Sequence, residues 1–189
     1  MEKSLSDMSL EELWELFPII LKEHNPIWKD WYLQEEKLLK HIISNQYIER
    51  INHIGSTSVN GLLAKPTIDI LLEITENCYL KFLVRVLEEN GYIFEKQPHK
   101  PSPHMMFMKG YTENGFAEKV FHLHIRYKGN WDELYFRDYL REHKDIAEKY
   151  AQLKLSLRDK YQHDRDGYTE AKADFVEKYS KIAKESISH

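Results

Sequence analysis

A single aspartate stands inside an apolar run. In the segment TIDILLEI, Thr67 to Ile74, Asp69 is surrounded by Ile68, Ile70, Leu71 and Leu72. Desolvating an unpaired carboxylate costs several kcal/mol or moves its pKa until it neutralises. Asp69 must therefore be paired, bound to a metal, or set at an open pocket. The run is short and β-branched, which predicts a central strand covered on both faces. Strand alternation puts Asp69, Leu71 and Glu73 on one face and Ile68, Ile70 and Leu72 on the other. Asp69 and Glu73 are candidate metal ligands, although about 13 Å of extended strand separates them. That is too far to clamp one ion unaided.

Other groups with chemical capacity lie on either side. His53 and Ile54 close a strand-like run that stops at Gly55. Glycine permits a turn that other residues resist. Ser56, Thr57 and Ser58 then offer hydroxyls and successive N–H groups, an arrangement able to hold phosphate oxygens. Lys65 places a positive charge just before the aspartate's strand. Further on, FHLHIRY puts His122, His124 and Arg126 on one strand face. Two histidines beside Asp69 would complete a polar pocket able to bind a metal, relay a proton or contact phosphate. Arg137, in FRDYLREH, suits a phosphate contact or a pairing with Asp138 or Glu142.

These groups need a scaffold, and the pattern supplies one. Ser9 caps a first helix through Leu13, Leu16, Phe17 and Ile20. A second helix is predicted over Trp28–Ile43, with Glu35 contributing only its methylenes to the apolar side. Strands are expected at Ile48–Ile54, Thr67–Ile74, Tyr92–Glu95, His104–Met108 and Val120–Tyr127. A helix spans Cys78–Asn90, and a hairpin turn lies at Tyr111–Gly115. The last third reads as helices over Trp131–Glu142, Asp145–Tyr161 and Tyr168–Lys184, with Gly167 marking the second break. This is an α+β pattern, and no linker or repeat divides residues 1–189, so a single domain is expected.

Composition narrows the function. The net charge of −4 argues against an extended nucleic-acid surface, which usually shows as a basic face. No run approaches the roughly 20 apolar residues of a membrane helix. One cysteine, Cys78, permits no intrachain disulfide. With no signal-peptide core, a cytoplasmic location is expected.

The run HIGSTSVNGLLAKPTIDILLEI, residues 53–74, resembles the signature of the GrpB-like proteins of the nucleotidyltransferase superfamily. NPIWKDWYLQEEKLL upstream, and HLHI, FRDYLREH, AEKYAQLK and the Tyr168–Tyr179 helix with Lys172 downstream, keep the family order. The resemblance implies a nucleotidyltransferase-like mixed sheet with N-terminal helices and a C-terminal helical region packed on it. It implies a nucleotide or small phosphorylated ligand, with Mg²⁺ or Mn²⁺ at the carboxylates and transfer of a nucleotidyl group to a small acceptor. Gly55-Ser56 matches the glycine–serine element and Asp69 the first carboxylate. Leu71 stands where the second carboxylate is expected. In that scheme Asp69 and Lys65 are catalytic, and Gly55, Ser56, Thr57, Ser58, His53, His122, His124 and Arg137 contact the ligand. The alternatives are a non-catalytic binding module of the same fold and a phosphoester hydrolase using His122, His124 and Asp69.

Overall fold

Ile68, Ile70 and Leu72 on one face of their strand and Leu71 on the other are fully buried, as a central strand covered on both faces requires. Each such side chain contributes about 1.5–3 kcal/mol by leaving water. The computed structural model describes residues 3–97 and 99–187. Its strands are β1 (Ile48–Ile54), β2 (Thr67–Ile74), β3 (Ile93–Glu95), β4 (Met105–Thr112) and β5 (Gly115–Tyr127). They form one mixed sheet in the order β1-β2-β5-β4-β3. Only β2 and β5 run parallel; the other neighbours are antiparallel.

One sheet face carries α2 (Ile27–Ile43) and α3 (Leu80–Glu89). Helix α2 buries Trp28, Tyr32, Glu35, Leu39 and Ile43, a stripe spaced by three and four residues. Glu35 buries more than methylenes: its carboxylate takes hydrogen bonds from the Tyr92 hydroxyl and from Lys109. The preceding α1 (Leu10–Leu16) starts at a reciprocal cap between Ser9 and Glu12. It stops before Phe17, which packs its ring on Tyr111 and Phe116.

The other face carries α4 (Asp132–Glu142), α5 (Lys144–Arg158), α6 (Arg165–Glu170) and α7 (Ala173–Ile187). A second core joins them to the segment between β1 and β2 through Val59, Leu62, Phe136, Leu140, Ile146 and Tyr150. The break expected at Gly167 lies earlier. Asp164 caps α6 by accepting from the Gly167 N–H, so Gly167 sits within the helix. The expected Tyr168–Lys184 helix is instead two, and Lys172 lies at their junction. Among the described residues, no helix is long and apolar enough to cross a membrane.

Candidate functional site

The parallel register sets Asp69 directly beside His122, and Leu71 beside His124. All four side chains therefore project from the face that the C-terminal helices cover. His122 Nδ1 lies 3.2 Å from Asp69 Oδ1, and His124 Nε2 lies 3.8 Å from the same oxygen. The other nitrogen of His122 meets the Tyr111 hydroxyl at 2.7 Å and the Arg165 guanidinium at 3.3 Å. Arg165 can only donate, so His122 Nε2 accepts and the ring proton sits on Nδ1, facing Asp69. Asp69 retains 27% of its side-chain surface, so it is deeply set without being sealed.

Gly55 presses against this carboxylate from the neighbouring strand. Ile54 pairs with Asp69, and the next residue turns at φ +69°. A Cβ on Gly55 would lie 2.3 Å from Asp69 Oδ2. The glycine is needed for both the left-handed turn and the close approach. Ser56–Ser58 then form a single 3-10 turn. Two of its three hydroxyls are committed inward. Thr57 donates to the Thr67 carbonyl and accepts from His53 Nε2. Ser58 donates to the Gly55 carbonyl, while Arg141 holds the Ser58 carbonyl from α4. Ser56 points differently: its hydroxyl accepts from the Lys154 ammonium at 3.0 Å.

Lys154 introduces a feature that charge alternation along the late helices concealed. It is 3% exposed, lies over the Tyr150 ring and also donates to the Leu63 carbonyl. Its position continues the buried stripe of Ile146 and Tyr150 at four-residue spacing, the one signal in the sequence that marks it. Lys172 lies over the buried Tyr168 ring at 4.2 Å. The Tyr168 hydroxyl is buried and makes no hydrogen bond among the described residues. Lys65, Lys154, Arg165 and Lys172 thus converge from four segments on the surroundings of one carboxylate. Among the described residues, none of the four lies within ion-pair distance of an acidic side chain.

Electrostatics record the imbalance. Burial lowers Lys65 to about 7, with Arg165 and Lys172 adding repulsion and Asp69 opposing. Burial, with Lys172, lowers Lys154 to about 7. Lys172 falls to about 8, again chiefly by burial. Burial works against the charged form of Asp69, but hydrogen bonds and charge from His122 and His124 outweigh it and hold the carboxyl far below its ordinary range. His122 falls to about 4, mainly by burial, which keeps it neutral near pH 7 despite Asp69. His53, stacked on Tyr32, also falls to about 4 by burial.

The structure separates the remaining candidates from this cluster or ties them into the scaffold. Glu73 is fully buried, and both its oxygens are taken: Arg50 grips it at 2.6 Å through two nitrogens, and the Gly129 N–H donates at 2.9 Å. That corrects its reading as a metal ligand. Arg137 bonds Asp138, the Asn52 side chain and the His53 carbonyl, fastening α4 to β1. The donor set around Asp69 does not fit Mg²⁺, which seeks several oxygen ligands. Leu71 leaves the second position apolar, and both nitrogens of His122 already have partners. Among the described residues, no three His, Cys, Asp or Glu side chains are grouped to hold a metal ion.

Known proteins share this plan. The family model described as GrpB protein matches residues 18–181. A glutamate-rich protein GrpB of Alkalihalophilus pseudofirmus is 32% identical over 162 residues, covering 84% of this chain and 92% of the relative. A UPF0157 protein of Pseudomonas aeruginosa is 35% identical over 153 residues, covering 80% of this chain and 62% of the relative. The crystal structure of a conserved protein GrpB from Enterococcus faecalis superposes with a TM-score of 0.78 at 30% identity, covering 90% of this chain and all of that one.

Proposed function

The chain belongs to the GrpB family, within the nucleotidyltransferase-like superfamily, and from that premise we propose that it binds a nucleotide or small phosphorylated ligand beside Asp69. The observation that carries this reading is the gathering of Lys65, Lys154, Arg165 and Lys172 around a single carboxylate, with Lys154 also bonded to Ser56 of the preceding turn. Like charges held together without counter-ions are unfavourable, and an anionic ligand relieves them. Titration calorimetry with ATP, GTP, CTP and UTP tests the reading. At least one is expected to bind, and failure of all four, with no thermal stabilisation, sinks it.

Nucleotidyl transfer is the enzymatic form of this proposal. The His122 contact keeps Asp69 ionised, so the carboxylate suits holding and orienting an acceptor hydroxyl for attack on the α-phosphorus, with pyrophosphate leaving and the hydroxyl proton passing to solvent. Lys65 would stabilise negative charge developing on the phosphate. Asp69→Asn is then expected to lose turnover while retaining nucleotide binding.

The lysines also set a pH dependence. Their native pKa values, about 7 for Lys65 and Lys154 and about 8 for Lys172, lie below the ordinary 10.5. Between roughly pH 7 and 10 the unfolded chain therefore binds more protons than the native one, and the lysine contribution to stability rises with pH. Ligand binding runs the opposite way, because an anion needs charged lysines and weakens as they deprotonate. Melting curves and calorimetric titrations from pH 6.5 to 9 should show the two trends diverging, with proton uptake on binding. Affinity that holds constant over this range contradicts the assignment.

A further inference from the structure

Resting on the reading of this side-chain cluster as a phosphate site, we infer that the protein's own cations, rather than a divalent ion, neutralise the ligand, and that the ligand is a di- or triphosphate bound as the free anion. Four basic side chains set against the one Asp69 carboxylate leave up to three net positive charges once an anion holds them protonated, more than one phosphate group neutralises, and they come from the loop before β2, from α5, from the start of α6 and from the α6–α7 junction. Lys154 is buried with Ser56 and a carbonyl as its hydrogen-bond partners, so its charge meets no acid among the described residues. Lys172 rests on Tyr168, whose buried hydroxyl is an unused donor among the described residues.

The carboxylate side of the cluster points the same way. Asp69 is faced by His122 and His124, Leu71 adds no oxygen, and Glu73 is held by Arg50 and Gly129. A divalent cation entering here would find one available carboxylate among four basic side chains, of which Arg165 and most of Lys172 are charged near pH 7. Chelation would also strip negative charge from the phosphate chain, the property that the cations recognise. Metal-bound polyphosphate is therefore the poorer ligand.

Calorimetric titration of the full chain with inorganic tripolyphosphate and with ATP, in EDTA and again in excess MgCl₂, decides the matter. Binding in EDTA is expected, as tight as in magnesium or tighter. Lys172→Gln, confirmed as folded by circular dichroism, is expected to weaken it by roughly tenfold. Magnesium tightening binding by more than roughly tenfold overturns this inference and leaves the proposed function standing. Binding in EDTA that Lys172→Gln does not alter also overturns it. No binding of either compound in either buffer overturns the inference together with the function it rests on.

Discussion

Gly55→Ala is expected to destabilise the fold by about 2–5 kcal/mol and to abolish ligand binding. Two costs combine. A non-glycine residue in the left-handed region costs roughly 1–2 kcal/mol. Forcing an atom into a filled site adds about 1–3 kcal/mol. The new methyl would sit 2.3 Å from Asp69 Oδ2, so the carboxylate must swing away and its contact with His122 at 3.2 Å is lost. Gly61 offers a control. It has a similar φ, +77°, but a methyl there would meet nothing within 4 Å. Gly61→Ala should cost only the conformational part, about 1–2 kcal/mol, and leave binding intact. Urea unfolding and calorimetry of the two variants measure the difference. Equal behaviour of the pair would show that the Gly55–Asp69 contact has no energetic weight.

Arg50→Met should cost about 2–4 kcal/mol, roughly 10 °C in melting temperature. It strands the Glu73 carboxylate, which has no solvent exposure, with the Gly129 N–H as its remaining partner. The expected loss is set below that of a fully enclosed pair because Arg50 is itself 40% exposed. Combining it with Glu73→Leu removes the orphaned charge and should recover most of the stability. Binding of ATP is expected to survive in the double variant, since Glu73 is tied into the scaffold. Lost binding in a stably folded double variant would return Glu73 to the ligand site.

The strands were legible because period-two patterning leaves little freedom. Asp69, His122 and His124 each follow from alternation, and the parallel pairing of β2 with β5 then makes them neighbours. The pairing itself left no mark in the sequence, since register depends on partners far along the chain. The cations were harder to see. Lys154 and Lys172 sit in helices where charges of both signs alternate, which ordinarily denotes a solvated face. Arg165 follows a capping aspartate and carries no pattern of its own. Glu73 misled for a related reason: two acids on one face suggested a shared ion, while the arginine that claims Glu73 lies opposite it on β1. The hydroxyls of Thr57 and Ser58 suggested a phosphate cradle, yet both are used to brace the turn.

The bond from Lys154 to Ser56 spans 98 residues of chain. A ribosome would extrude the turn and Asp69 long before α5 and Lys172 emerge, so a growing chain could not complete the proposed anion site until most of its length has been made. On the proposed reading, a bound anion would act as a rivet between early and late portions of the polypeptide. Protease nicking anywhere between β5 and α5 should accordingly slow when the ligand is present, even at peptide bonds remote from that site.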